Sequence, residues 1–333
     1  MTTTDEPVIF AICGTHLFGE AVAHSLKATL ARHEERDFED GEYKIRPLDC
    51  VRGRDAYVVA SLYGDATASS ADKFCKTLFF IGALKDAGAG RVTAVAPYLC
   101  FARKDRRTKP RDPVTTRYVA QLFDAMAVDS VIGVDVHNIV AFENAFRCET
   151  IHLDAHMIFA HHMLGLIGDA PVAVVSPDLG GEKRAELFRQ KLERLLNRPV
   201  AKAFMDKYRS EGRVSGDLFA GDVDGRIAII LDDLIAGGGT MARVAQACRA
   251  RGATQVWAAA THGVFSSAAP QTLGQAPIDR VIISDTVALS PENETARALG
   301  ARLTIVSAAP LFAQAIRRRH DNSALTELLE QGP

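Results

Sequence analysis

Two adjacent carboxylates and the glycine-rich turn after them are the residues best placed to do chemistry. Asp232 and Asp233 close an apolar run, Ile227-Ala-Ile-Ile-Leu231, and lead through Leu234-Ile-Ala236 into Gly237-Gly238-Gly239-Thr240. Glycines let backbone amides approach an anion, and a helix start adds partial positive charge. Carboxylates accept hydrogen bonds from hydroxyls. A phosphate on the amides and sugar hydroxyls on the acids describe one ligand, a pentose phosphate. The same residues also describe a tight strand-to-helix turn with solvated acids, and the glycines alone do not decide between the two. Neither G-x-G-x-x-G nor the Walker A pattern is matched.

Other groups are less specific taken singly. Arg103, Lys104, Arg106, Arg107, Lys109 and Arg111 form a basic run after the apolar segment Arg91–Ala96. A charge run is usually a solvated face, but at a strand's C-terminal end polyphosphate binding competes with that reading. Phe38-Glu-Asp40-Gly-Glu42 sets an aromatic beside two spaced acids, enough to stack a base and bind its amino group; on spacing alone a hairpin turn is favoured. His137 follows Asp135 at a strand end, where a ligand role and a structural role stay open. His152, His156, His161 and His162 cluster, yet no cysteine or carboxylate completes a zinc set. Ser176-Pro-Asp178-Leu-Gly-Gly181 is a second acid-and-glycine loop. Asp206-Lys207-Tyr-Arg209-Ser-Glu-Gly212 reads as a mobile polar loop or a surface hairpin.

The elements that must hold these residues are strands alternating with helices. Short apolar runs end in Gly, Asp or Ser, and stretches with helical spacing follow (17–30, 69–85, 115–127, 182–196). The 333 residues suit two domains. Thr115-Thr-Arg-Tyr-Val-Ala-Gln121 resembles Thr240-Met-Ala-Arg-Val-Ala-Gln246, so two related α/β halves are expected. A formal net charge of −2 gives no polycation for nucleic acid, and six scattered cysteines without C-x-x-C suit reduced thiols. The polar start has no secretory h-region, and no apolar run approaches about 18 residues. No membrane partner is expected, and a cytoplasmic location is.

In order along nearly the whole chain, these motifs resemble those of the ribose-phosphate pyrophosphokinase family: Phe38-Glu-Asp-Gly-Glu42, Val51-Arg-Gly-Arg-Asp55, Ala102-Arg-Lys-Asp-Arg106, Asp135-Val-His137, Ser176 to Gly181, Asp206-Lys-Tyr-Arg209, Ile230-Leu-Asp-Asp233 and Thr261-His262. Eight in register are specific where each alone is weak. The resemblance implies two tandem type I phosphoribosyltransferase-like domains with mainly parallel sheets flanked by helices and the active site between them. Residues 1–152, joined by the C-terminal helix 309–333, would form the first domain and 153–308 the second. It further implies that Phe38, Asp40 and Glu42 hold adenine from a neighbouring subunit, and that Arg103, Lys104, Asp105 and His137 serve ATP. His137 and Asp178 would hold Mg²⁺. Lys207 and Arg209, on a flexible loop, would join Arg103 as the catalytic cations. Asp232 and Asp233 would take the ribose hydroxyls, and Gly237, Gly238, Gly239 and Thr240 the 5-phosphate. The implied reaction moves the β,γ-diphosphoryl group of ATP to C1 of ribose 5-phosphate, in a homo-oligomer, a dimer or a hexamer.

Three positions depart from that pattern. Lys104 stands where glutamine is common, Ala236 where an acid is, and Gly237 where a hydroxyl residue is. They leave room for a non-catalytic regulatory paralogue or an enzyme of another phosphosugar. A phosphoribosyltransferase that consumes the diphosphate shares the acidic pair but suits neither the tandem halves nor the Phe38–Glu42 motif.

Overall fold

The computed structural model describes the backbone of residues 6–210 and 213–333, and the side chains of these except 207–217 and 331. The chain divides into two compact units. The first runs to Asp154 and takes in Thr286–Ala288 and Ala308–Pro333; the second comprises Ala155–Asp285 and Leu289–Ser307.

The first unit runs β1 (Val8–Ala11), α1 (His16–Ser25), the hairpin β2 (His33–Asp37) and β3 (Tyr43–Pro47), β4 (Asp55–Val59), α2 (Ser70–Asp86), β5 (Arg91–Ala96), α3 (Thr115–Ala125), β6 (Ser130–Val134), α4 (Ile139–Ala145) and β7 (Glu149–Leu153). Strands β1-β4-β5-β6-β7 form one parallel sheet in that order. Because side chains alternate across a strand, Phe10, Val58, Ala94 and Val131 share one core with Phe74, Leu78, Ile81, Val119 and Phe123. Tyr57 faces the other way; its hydroxyl donates to Asp55 Oδ2 (2.9 Å) and lies 3.4 Å from the Ile316 carbonyl.

In the second unit come α5 (His156–Ile167), β8 (Val172–Ser176), α6 (Glu182–Leu196), β9 (Ala201–Ser210), β10 (Arg213–Gly221), β11 (Ile227–Ile235), α7 (Gly239–Ala250), β12 (Gln255–Gly263), α8 (Ala269–Gln275), β13 (Arg280–Ser284), α9 (Glu294–Leu299) and β14 (Leu303–Val306). The sheet order is β10-β9-β8-β11-β12-β13-β14, parallel except for β9–β10. From β8 the chain moves outward to β9; from β11 it moves the opposite way to β12. The neighbours β8 and β11 therefore flank a topological switch point, where open α/β sheets leave a crevice beyond the strand ends.

The chain then returns to the first unit as α10 (Ala309–His320) and α11 (Thr326–Gln331). Helix α10 packs on α1, with the Phe18 and Phe312 rings edge to face at 5.6 Å. Its end is held by charge. Half-buried Asp55, its side chain only 7% exposed, accepts from Arg91 Nη2 (2.5 Å) and pairs with His320 Nδ1 (2.9 Å), and buried Arg319 donates to Ser130 Oγ (2.9 Å). Asp55→Asn keeps the shape and removes the charge; it should cost about 2 kcal/mol, read as a lower urea midpoint.

One helix ends earlier than expected. Helix α1 stops at Ser25 rather than Leu30, because Lys27 turns left-handed (φ +57°) and the Ala31 amide is captured by the Ile9 carbonyl at 2.7 Å. Of the two readings of 206–212, the hairpin is the one observed: residues 206–210 continue β9, and β10 pairs with them from Ser210↔Arg213 onward; such a ribbon tolerates polar residues. Glu211 and Gly212 lie outside the described residues. The stretch 138–150 holds α4, capped by Asn138 Oδ1 accepting from the Ala141 amide (3.2 Å), and edge strand β7.

Candidate active site

Strand β11 runs past the apolar stretch to Ile235, so Asp232 and Asp233 lie inside its last turn of pleat rather than beyond it. Adjacent strand residues point to opposite faces. Here the Asp232 side chain curls back, and its Oδ1 accepts the Asp233 amide at 2.9 Å. That brings both carboxylates within reach of one cation. Arg184 Nη1 lies 3.4 Å from Asp232 Oδ1 and 3.6 Å from Asp233 Oδ1. Burial first, then the Asp233 charge, push the Asp232 carboxyl well above its ordinary range, and Arg184 opposes the shift.

Behind the pair the chain turns sharply. Gly238 is left-handed (φ +77°), and a Cβ on it would lie 2.6 Å from the Leu273 side chain. Both facts demand glycine. Helix α7 begins at Gly239, and its first-turn amides have no acceptor within the helix. The turn is braced from the neighbouring strand end, where the Phe265 amide donates to the Ile235 carbonyl and the Ser266 amide to the Ala236 carbonyl, each 3.1 Å. A Cβ on Gly237 would meet only Ser266 Oγ (3.5 Å) and Ala268 Cβ (3.9 Å), and one on Gly239 would meet nothing within 4 Å. Space above these glycines is open for a ligand. Gly238→Ala should destabilise the protein by about 1–2 kcal/mol from backbone strain alone, with the Leu273 clash added; thermal unfolding reads the loss.

The loop after β8 lies across the switch point. Exposed Asp178 accepts the Gly181 amide on Oδ1 (2.9 Å), while Ser176 Oγ donates to the Asp178 carbonyl (2.7 Å). This turn launches α6, whose first turn carries Lys183 and Arg184. Cations oppose the helix dipole there. Arg184 carries no motif of its own, and since Lys183 shares its placement, nothing local in the sequence signals its pairing with Asp232 and Asp233.

In the first unit the basic loop (97–114) and the loop after β6 leave adjacent strand ends. Asn138 Nδ2 donates to Asp105 Oδ2 at 2.5 Å, tying the two loops together beside exposed His137. Buried Asp135 takes φ +40°, an uncommon conformation for a side-chain-bearing residue, and turns the chain there. Arg103 is exposed; Lys104 is half-buried, its Nζ donating to Asp112 Oδ2 at 2.6 Å. The same oxygen accepts from Thr108 Oγ1 (2.8 Å) and the amides of Thr108 and Lys109 (3.0 Å each). These hydrogen bonds, Lys104 foremost, hold the Asp112 carboxyl far below the usual range. The extra positive charge at Lys104 thus has its counterion within the loop.

Phe38, Asp40 and Glu42 form their own group at the exposed β2–β3 hairpin tip. The Phe38 amide donates to the Glu42 carbonyl (2.8 Å), Asp40 Oδ1 accepts the Glu42 amide (3.0 Å), and the Phe38 ring is 41% exposed under the Arg36 guanidinium. A hairpin turn and a presented aromatic are both present, so the two readings do not exclude each other. Of the histidine cluster, His156 in α5 is buried against the Phe188 ring of α6. Among the described residues no three His, Cys, Asp or Glu side chains converge to hold a metal, and no helix is long and apolar enough to cross a membrane.

The model of the N-terminal domain of ribose phosphate pyrophosphokinase matches residues 7–127, and that of the phosphoribosyl synthetase-associated domain matches residues 215–330. The ribose-phosphate pyrophosphokinase of Caldanaerobacter subterraneus is 36% identical over 92% of this chain and 92% of its own. That of Clostridium perfringens is 35% identical over 93% of each. The crystal structure of phosphoribosylpyrophosphate synthetase from Mycobacterium smegmatis superimposes with a TM-score of 0.85 at 32% identity, covering 96% of this chain and 100% of that one. With its two α/β units and with relatives matched nearly end to end, the chain belongs to the ribose-phosphate pyrophosphokinase family.

Proposed function

We propose that this enzyme transfers the β,γ-diphosphoryl group of ATP to the C1 hydroxyl of ribose 5-phosphate, releasing AMP. The observation that carries the reading is the acidic pair and open glycine turn at the switch point of β8 and β11, in a chain aligned over nine-tenths of its length with ribose-phosphate pyrophosphokinases. Asp232 and Asp233 accept hydrogen bonds from the ribose hydroxyls. The amides of Gly237 to Thr240 receive the 5-phosphate. Phe38, Asp40 and Glu42 recognise adenine, and Arg103, Lys104, Asp105 and His137 bind the triphosphate end. The exposed Phe38 ring suits a site completed by a second copy of the chain.

As the C1 oxygen attacks the β-phosphorus, the bond to the AMP oxygen breaks and negative charge gathers on the bridging and equatorial oxygens. Cations placed there are the main catalytic resource. Lys207 and Arg209, on the last residues of β9, join Arg103 in that role. His137 and Asp178 would serve Mg²⁺ as supplementary ligands, the cation arriving on the phosphates and keeping most of its waters. When bound, Mg²⁺ neutralises phosphate charge. No side chain is assigned as a dedicated base. The buried thiols of Cys13, Cys100 and Cys248, each pushed up to about 12 by burial, suit a reducing cytoplasm.

Incubation with ATP, Mg²⁺ and ribose 5-phosphate should give AMP and phosphoribosyl diphosphate in equal amounts. Slow ATP hydrolysis alone at saturating sugar would overturn the reading. Gly237 offers the 5-phosphate no side-chain hydroxyl, so the same assay is run over a panel of pentose phosphates.

A further inference from the structure

We infer that Arg184 is a positioning residue for the sugar: it fixes Asp232 and Asp233 as one acceptor surface and couples that surface to the Asp178 loop. The inference rests on the proposed reading that this pair binds ribose hydroxyls.

The geometry argues it in steps. Two neighbouring strand residues project to opposite faces and cannot by themselves present one recognition surface. The Asp233 amide recruits Asp232 Oδ1 across that divide at 2.9 Å. Without a cation, the gathered carboxylates would repel one another in a half-buried place. Arg184 Nη1 stands between their Oδ1 atoms, at 3.4 and 3.6 Å. Both separations exceed those of a tight charge-assisted hydrogen bond, about 2.7–2.9 Å. The guanidinium therefore holds the two acids together by long contacts, a hydrogen bond to Asp232 and an ion pair with Asp233.

The place of Arg184 is set by the turn before it. Arg184 is the third residue of α6, and the turn that starts α6 is closed by Asp178 Oδ1 on the Gly181 amide. That turn is tight, because a Cβ on Gly181 would approach Ser176 Oγ to 3.1 Å. A shift of the Asp178 loop would carry the start of α6, and hence the guanidinium, with it. Sugar recognition and the Asp178 loop are linked through one side chain that contacts no substrate in this assignment.

The test compares wild type, Arg184→Ala and Arg184→Lys by steady-state kinetics and by calorimetric titration with ribose 5-phosphate alone. Arg184→Ala should raise the KM for ribose 5-phosphate at least tenfold and weaken calorimetric binding in proportion, leaving the KM for ATP within about twofold. Arg184→Lys, which keeps the charge and loses the fork, should recover much of that loss. Equal changes in both KM values, or sugar binding untouched in folded Arg184→Ala, would overturn the inference. So would a lysine variant no better than alanine. Absence of sugar binding by the wild type would instead overturn the functional reading beneath it, so the two failures are distinct.

Discussion

Asp233→Ala should lower kcat/KM for ribose 5-phosphate by roughly two to three orders of magnitude and leave the KM for ATP nearly unchanged. Hydrogen bonds to a charged acceptor are each worth about 1.5–3 kcal/mol, and a factor of ten in rate is about 1.4 kcal/mol. Loss of two hydroxyl contacts to one carboxylate accounts for the size. Truncation also leaves Arg184 facing a single acid. Steady-state kinetics with each substrate varied in turn checks the split; parallel losses for ATP and sugar would place Asp233 in general folding instead. Its neighbour should behave differently in two respects. The Asp232 carboxyl is pushed above its ordinary range by burial and by Asp233. It is therefore protonated at a pH where an unperturbed aspartate is ionised, and the KM for ribose 5-phosphate should rise as pH falls through that raised value. The sign for stability is opposite. A carboxyl with a raised folded-state value favours the fold when protonated and loses that contribution as pH rises. Asp232→Asn, neutral at every pH, should melt at or above the wild-type temperature near neutrality while losing activity, as residues kept for function commonly do.

The reach and the limit of sequence reasoning show at the same switch point. Helix α6 was expected over 182–196 and is observed at Glu182–Leu196, because local chemistry marks both ends: Gly180 and Gly181 precede it, and Asn197 closes it in a left-handed turn (φ +51°). The run Ile227–Leu231 announced a strand buried on both faces, and its residues are all buried. What escaped notice depends on contacts far apart in sequence. Arg184 reaches Asp232 across 48 positions, and no local pattern carries that pairing. The shortening of α1 came from Ala31 bonding to β1, an edge contact that overrides helical spacing. Asp112 carried no signal of its own in the sequence. Only the folded loop reveals it as the acceptor that gathers Lys104, Thr108 and the Lys109 amide, and so answers the charge of the unexpected lysine.

Lys207→Ala should cut kcat by about a hundredfold to a thousandfold, the usual effect of removing one preorganised donor from a developing anion. The expectation follows from where charge appears. In the proposed reading ground-state ATP is met by Arg103 and Lys104, so nucleotide binding has other cations to rely on. The diphosphoryl group in transfer gains charge on oxygens that neither sugar hydroxyl nor glycine amide can match. Lys207 belongs to β9, which is hydrogen-bonded to β8, the strand that ends in Ser176 and the Asp178 loop. In the proposed reading the β9 backbone belongs with the sugar half of the reaction and Arg103 with the nucleotide half. Loss of Lys207 should therefore fall on kcat, with the dissociation constant of ATP changed by less than about threefold. Rapid-quench measurement of AMP formation, beside equilibrium binding of ATP to the same variant, separates the two. Equal losses in turnover and in ATP affinity would move Lys207 from the transition state to the ground-state complex. In that event Arg103 and Arg209 would be left to balance the charge of transfer.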